Sequence, residues 1–115
     1  MGTLASTAVE AVAPVDLAHL AAATFGDVAL EREVLVLFLS QSAELIGRIA
    51  GVPDGQGRSE LAHRLKGAAA GIGARAVAEA ADRVEAGGDP GALCRLAEAV
   101  AEAQAFIHAR LDQAR

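Results

Sequence analysis

Residues 61–72 read LAHRLKGAAAGI, a run of helix formers that includes a histidine, a lysine and two glycines. If it forms a helix with about 100° per residue, its apolar residues form one stripe. That stripe comprises Leu61, Leu65, Ala68 and Ile72. His63 points roughly 200° away from the first leucine, and Lys66 and Gly67 share its face because they follow at the third and fourth positions. The pattern predicts a helix that buries its leucines and exposes a histidine, a lysine and a glycine.

Together, these three exposed residues indicate a chemical function. Lys66 is the only lysine among ten basic residues, and Gly67 costs about 1 kcal/mol relative to alanine in a helix interior. A neutral imidazole nitrogen is a nucleophile at physiological pH. If His63 attacks phosphorus, a lysine one turn away can screen the transferring group, and a glycine leaves space for the donor. Taken singly, each would be an ordinary surface residue.

The composition favours an all-helical chain. Hydrophobic residues make up 53% of the 115 residues, but aromatic residues only 3%. The apolar residues are mainly alanine, leucine, valine and isoleucine, and alanine and leucine are the best apolar helix formers. The length suits one domain with a core of its own.

Helical periodicity and turn residues divide the chain into five predicted helices. They cover about 14–23, 27–50, 60–72, 74–86 and 90–113, with Asp27 and Ser59 as expected N-caps. Four long amphipathic helices with short loops predict an antiparallel four-helix bundle, to which the first adds a short N-terminal helix. We expect residues 1–13 to be a flexible lead-in and residues 14–115 to form a single domain.

Charge is spread unevenly along the chain. The formal net charge is −5, which argues against general nucleic-acid binding. Residues 58–75 nevertheless carry a local charge of +3. This basic stretch coincides with the helix that carries His63.

Cysteine content and hydropathy indicate a soluble cytoplasmic protein. Cys94 is the single cysteine, so no intramolecular disulfide can form. Residues 1–14 lack the features of a signal peptide, and the most apolar run, residues 34–39, is too short to span a bilayer. We expect no membrane contact.

The sequence resembles the histidine-containing phosphotransfer (HPt) domain family. The family's motif, a string similar to AHxLKG followed by Gly-Ala, is matched by AHRLKG at residues 62–67 and by residues 73–74. Residues 15–51 resemble the family's opening, a short helix, a Phe-Gly-Asp turn and a long apolar helix. Residues 76–86 resemble the helix after the motif, with Val84-Glu85 in place of its Leu-Glu pair. The resemblance covers roughly residues 14–112.

The resemblance implies a phosphorelay intermediate. His63 would accept a phosphoryl group from a receiver-domain aspartate or a kinase and pass it to another receiver. Lys66 would screen the phosphate and Gly67 would provide clearance. Partners would be response-regulator receiver domains and a hybrid histidine kinase, and the protein would be a monomer. Arg58, Arg64, Ala70 and Arg75 would border the surface that binds the acidic receiver. The protein would need no cofactor of its own, with Mg²⁺ belonging to the receiver. No nucleotide-binding motif is present, so we expect no ATP-dependent kinase activity.

Two alternatives remain open at the level of sequence. Glu60 and His63 form an E-x-x-H pair of the kind that occurs in metal-binding helical bundles. A non-catalytic adaptor that binds receivers without phosphotransfer is the other. Ala68 motivates it, since many family members have serine there. Gln41 or Gln56 could replace the polar contact that a serine would make.

Overall fold

The computed structural model describes residues 13–53 and 55–113, and within these ranges it is all α-helical with no strand. The five helices are α1 (Leu17–Ala23), α2 (Val28–Gly51), α3 (Gln56–Ile72), α4 (Arg75–Glu85) and α5 (Ala92–Gln113). The predicted fold class is confirmed. Most of the expected N-terminal lead-in, residues 1–12, lies outside the described residues.

Helices α2 to α5 form a closed ring. Each of them packs against its two neighbours in the order α2, α3, α4, α5, with α5 returning to α2, and α1 lies on α3. The antiparallel arrangement is visible where Arg110, near the end of α5, donates to Glu31, near the start of α2, over 2.7 Å. The core is built from leucine, isoleucine, valine and many alanines, with Phe38 as its largest side chain.

Aspartates begin the first two helices. The Asp16 carboxylate accepts from the His19 N–H over 3.1 Å, and the Asp27 carboxylate accepts from the Leu30 N–H over 3.0 Å. Asp27 was the expected cap of α2, and that prediction is confirmed. The first helix starts three residues later than predicted, because Asp16 caps it and Pro14 precedes the cap.

Helix α3 begins earlier than its predicted start at residue 60. Gly55 occupies the N-cap position and Gln56 begins the helix, so Ser59 is already inside it. The Ser59 hydroxyl instead donates to the Glu85 carbonyl over 2.9 Å. The expected capping role of Ser59 is therefore wrong, and the residue ties the start of α3 to the end of α4.

Gly73 ends α3 and also makes room for α1. Its φ is +77°, in the left-handed region that favours glycine. A Cβ at this position would lie 3.1 Å from atoms of Asp16 and His19. The Gly73 carbonyl accepts from the Asp16 N–H over 2.9 Å. This close approach gives a physical reason for the glycine of the Gly73-Ala74 pair.

Helix α2 is the most apolar of the four bundle helices. Its 24 residues are long and apolar enough to cross a membrane by length and composition alone. Leu35 is buried, whereas Leu37 is 56% exposed. The buried face of α2 comprises Leu35, Phe38, Ser42, Leu45 and Ile49, and it contributes to the bundle core.

One polar contact crosses the interior between α2 and α5. Ser42 is fully buried, and its hydroxyl donates to the Leu39 carbonyl over 3.3 Å. The same hydroxyl accepts from the Gln104 side-chain amide over 3.0 Å. The buried hydroxyl is therefore satisfied both as donor and as acceptor.

A core truncation tests this packing. Leu65 is completely buried. Leu65→Ala should lower the free energy of unfolding by about 2–5 kcal/mol, because it leaves a cavity in the bundle. Leu37→Ala removes the same atoms from an exposed position and should change the free energy of unfolding by no more than about 0.5 kcal/mol. Urea unfolding followed by circular dichroism measures both, and equal losses would contradict the assignment.

Candidate functional site

His63 lies on the outer face of α3. Its side chain is 66% exposed, and its Nδ1 atom lies 2.9 Å from Oε2 of Glu85 on α4. A carboxylate accepts hydrogen bonds and has none to donate. The contact therefore assigns the ring proton to Nδ1 when His63 is neutral. Nε2 is then left with its lone pair as the free nitrogen of an exposed ring.

Lys66 lies one turn further along α3 and contacts two carboxylates. Its Nζ is 2.9 Å from Oδ1 of Asp82 and 3.1 Å from Oε1 of Glu85. The hydrogen bonds to Asp82 and then to Glu85 raise the pKa of Lys66 above its ordinary value, although partial burial acts in the opposite direction. The ammonium group stays charged and is held against α4.

Glu85 connects the two residues. One of its oxygens faces the imidazole and the other faces the ammonium, and its side chain is 26% exposed. The hydrogen bond from Lys66 lowers the pKa of Glu85 most strongly, burial opposes that effect, and the hydrogen bond from His63 lowers it further. An ionised carboxylate thus orients the histidine at neutral pH.

The antiparallel packing of α3 and α4 produces this arrangement. His63 and Lys66 are three residues apart on α3, and Asp82 and Glu85 are three residues apart on α4. Each pair lies on one side of its helix. Because α3 and α4 run in opposite directions, His63 lies opposite Glu85 and Lys66 lies opposite Asp82. The buried residues of both helices fix that alignment, namely Leu61, Leu65, Ala69 and Ile72 on α3 and Val77, Ala81 and Val84 on α4.

Gly67 makes no packing contact that would explain its presence. It is exposed, and a Cβ built on it would meet no described atom within 4 Å beyond its own neighbouring backbone. Ala70 is also exposed and extends the small surface beside His63. Ala68 lies elsewhere, partly buried against the core, while Ala69 is fully buried. The apolar stripe of α3 therefore passes through Ala69 rather than the predicted Ala68.

The three arginines expected at a partner surface differ in their surroundings. Arg64 is exposed beside the histidine face. Arg58 is half-buried and donates to the Val52 carbonyl over 2.8 Å. Arg75 lies at the start of α4, 4.0 Å from the Asp16 carboxylate. The basic character predicted for residues 58–75 is thus partly offset by acidic residues from other segments.

The polar contact sought from a glutamine comes from elsewhere. Gln56 donates to Glu60 over 3.2 Å, and Gln41 is exposed on α2. Glu85 takes the position beside His63 instead. Across residues 13–53 and 55–113 there is no group of three or more His, Cys, Asp or Glu side chains suited to a metal ion. The metal-binding alternative thus has no candidate site in those ranges.

A comparison with models of protein families matches the Hpt domain over residues 33–115, nearly three quarters of the chain. The chain belongs to the Hpt domain family. Comparisons with curated proteins and with solved structures gave no significant match. Membership of the Hpt family indicates phosphotransfer in two-component phosphorelays and interaction with receiver domains.

In this Hpt domain, sequence reasoning selected one half of the site and missed the other. His63, Lys66 and Gly67 were candidates because they share a face of one helix. Asp82 was not among the candidates, and Glu85 was noted only as part of the Val84-Glu85 pair. The signal that could have found them is their i, i+3 spacing, which matches that of His63 and Lys66 on the helix predicted to run antiparallel to it.

The ion pairs predict a defined pH dependence of stability. The lowered pKa of Glu85 means that its contribution is present above the ordinary glutamate pKa and is lost as pH falls through the lowered value. The raised pKa of Lys66 means that its contribution is present below the ordinary lysine pKa and is lost as pH rises through the raised value. Lys66→Ala should therefore lower Tm by a small, constant amount between the two ordinary values, and by less outside them.

Thermal unfolding followed by circular dichroism, from about pH 3 to about pH 11, measures this effect. Arg64→Ala is the matched control, because it removes an exposed basic residue from the same helix. For Arg64→Ala, the difference in Tm from the wild type should show no comparable plateau between the ordinary glutamate and lysine pKa values. A Tm difference for Lys66→Ala that does not shrink at acidic pH would show that Glu85 and Asp82 do not engage the ammonium.

Proposed function

We propose that this Hpt domain is a phosphorelay intermediate that accepts a phosphoryl group on Nε2 of His63. It takes the group from a receiver-domain aspartate or a kinase and passes it to another receiver. The contact between Nδ1 of His63 and Glu85 carries the proposal, because it leaves Nε2 as the free, exposed nucleophile. Membership of the Hpt family supports the same reaction class.

The transfer step is an in-line displacement at phosphorus. The Nε2 lone pair forms a bond to the phosphorus of the receiver's aspartyl phosphate. The bond between phosphorus and the aspartate oxygen breaks, and its electron pair returns to the aspartate carboxylate. Nδ1 keeps its proton throughout, so the phosphorylated imidazole ring carries a positive charge. Transfer to the next receiver is the same displacement in reverse.

Glu85 lies where that positive charge develops. Its carboxylate accepts from Nδ1 before the reaction and faces the cationic ring after it. A fixed negative charge next to the ring stabilises the phosphorylated cation more than the neutral ring, as the aspartate of a Ser-His-Asp triad does for its histidine. Glu85 therefore orients His63 and supports the charged intermediate.

The surface around His63 suits the approach of a receiver domain. Gly67 and Ala70 present little bulk beside the ring, and Arg64 is exposed next to them. A receiver's phosphorylation site is acidic and, in our proposal, brings its own Mg²⁺. Arg64 and Arg75 steer such a surface toward His63, whereas Arg58 is already engaged with Val52. We assign this function to a cytoplasmic monomer.

Replacing the nucleophile tests the assignment. A receiver that carries radiolabelled phosphate should transfer label to the wild-type chain, and the label should be acid-labile. His63→Gln should reduce labelling to background. His19→Gln and His108→Gln are matched controls, because both histidines are exposed at distant positions on other helices, and both variants should label normally. Labelling that persists in His63→Gln would overturn the assignment, and binding without any label in the wild type would favour the adaptor.

A second test concerns the space beside the histidine. Gly67→Gln should slow transfer at least about tenfold by obstructing the donor, while the free energy of unfolding stays constant or rises by up to about 1 kcal/mol. Gly47→Gln is the matched control, because Gly47 is also exposed, in a helix interior and clear of described neighbours within 4 Å. The control should transfer at the wild-type rate. Normal transfer together with lost stability in Gly67→Gln would make Gly67 a packing residue.

A further inference from the structure

Asp82 has no role in the transfer step described above, yet it makes one of the two contacts to the Lys66 ammonium. The distance from Nζ to Oδ1 is 2.9 Å, slightly shorter than the 3.1 Å contact to Glu85. The Asp82 side chain is 64% exposed. Glu85 is already engaged by His63 and Lys66, so Asp82 is an additional negative charge within the same cluster.

The charges in this cluster do not balance. With neutral His63, one ammonium faces two carboxylates, which leaves a local charge of −1 at the place where a phosphoryl group with a charge near −2 has to arrive. Glu85 is needed next to the ring. Asp82 is not, and its carboxylate competes with the phosphoryl group for Lys66. The ammonium has three hydrogens, and the two carboxylates occupy the directions of two of them.

Resting on the proposed function, we infer that Asp82 is a positioning residue that holds Lys66 away from the phosphoryl group and so raises the free energy of the phosphorylated state. An Hpt domain with this arrangement gives up its phosphoryl group readily. The charge of Asp82 thereby favours transfer onward to a receiver over accumulation of phosphohistidine.

The thermodynamic test needs no receiver. Phosphoramidate phosphorylates histidine directly: Nε2 bonds to phosphorus, the bond between phosphorus and the donor nitrogen breaks, and ammonia leaves. At a fixed ratio of phosphoramidate to ammonium, the occupancy of His63 at equilibrium reports the stability of the phosphorylated state. A parent variant with His19→Gln and His108→Gln leaves His63 as the single acceptor histidine, and ³¹P NMR measures its occupancy.

Asp82→Asn in this parent should raise the equilibrium constant for phosphorylation about three- to tenfold, the size expected when the released Lys66 ammonium pairs with the phosphoryl group near a protein surface. Asparagine keeps the shape and an acceptor for Lys66 but lacks the charge. The pH at which the phosphoryl ³¹P resonance titrates should fall, because the released ammonium favours the deprotonated phosphate. Glu79→Gln, one turn earlier on the exposed side of α4, is the matched control and should change neither quantity.

A double-mutant cycle identifies the route of the effect. In the Lys66→Ala background, most of the gain from Asp82→Asn should disappear, since no ammonium is left to be released. An equally large gain in that background would overturn the role of Lys66. Occupancy in Asp82→Asn equal to or below that of the parent would overturn the inference, while phosphorylation of the parent itself would leave the proposed function standing. No phosphohistidine resonance in the parent would count against the proposed function.

Discussion

The alignment of α3 with α4 is the constraint on which the site depends. The two helices meet along buried small and aliphatic side chains, and this contact determines which exposed residues face each other across the groove above it. A shift of α4 by one turn would displace Glu85 by about 5 Å away from His63, and the imidazole would lose this hydrogen-bond partner. The hydrogen-bond partner of the exposed histidine is thus determined by residues that are buried in the bundle.

The proposed reaction places two opposite electrostatic requirements on one small cluster of side chains. A nucleophilic imidazole needs an anion behind it, whereas the incoming phosphoryl group needs a cation beside it. In the proposed reaction Glu85 provides the anion and Lys66 the cation, and their side chains are joined by a hydrogen bond of their own. The consequence is that neither residue can be changed without affecting the other, so single substitutions at this site measure a coupled network.

Much of the fold could be predicted from the sequence, because apolar spacing along each helix reports which side is buried. The same spacing placed His63, Lys66 and Gly67 on an exposed face. It did not locate the start of α3, since Gly55 provides no polar side chain to mark the cap. It did not pair His63 with Glu85, because that contact depends on the relative alignment of two helices, about which the periodicity of each helix says little. Only the matching i, i+3 spacing of the two charged pairs pointed to the contact. The Ser59 hydroxyl bond to Glu85 was missed for the same reason.

The buried contact between Ser42 and Gln104 has a consequence for a core so rich in small residues. Alanine-lined helices have smooth surfaces, and several slipped registers would bury similar apolar area. A slip of α5 along α2 would carry Gln104 away from Ser42, so the buried hydroxyl oxygen would lose the amide that donates to it. Leaving a buried polar atom unpaired costs more free energy than losing an exposed hydrogen bond. The hydrogen bond between Ser42 and Gln104 therefore favours one alignment of α5 along α2 over the slipped alignments.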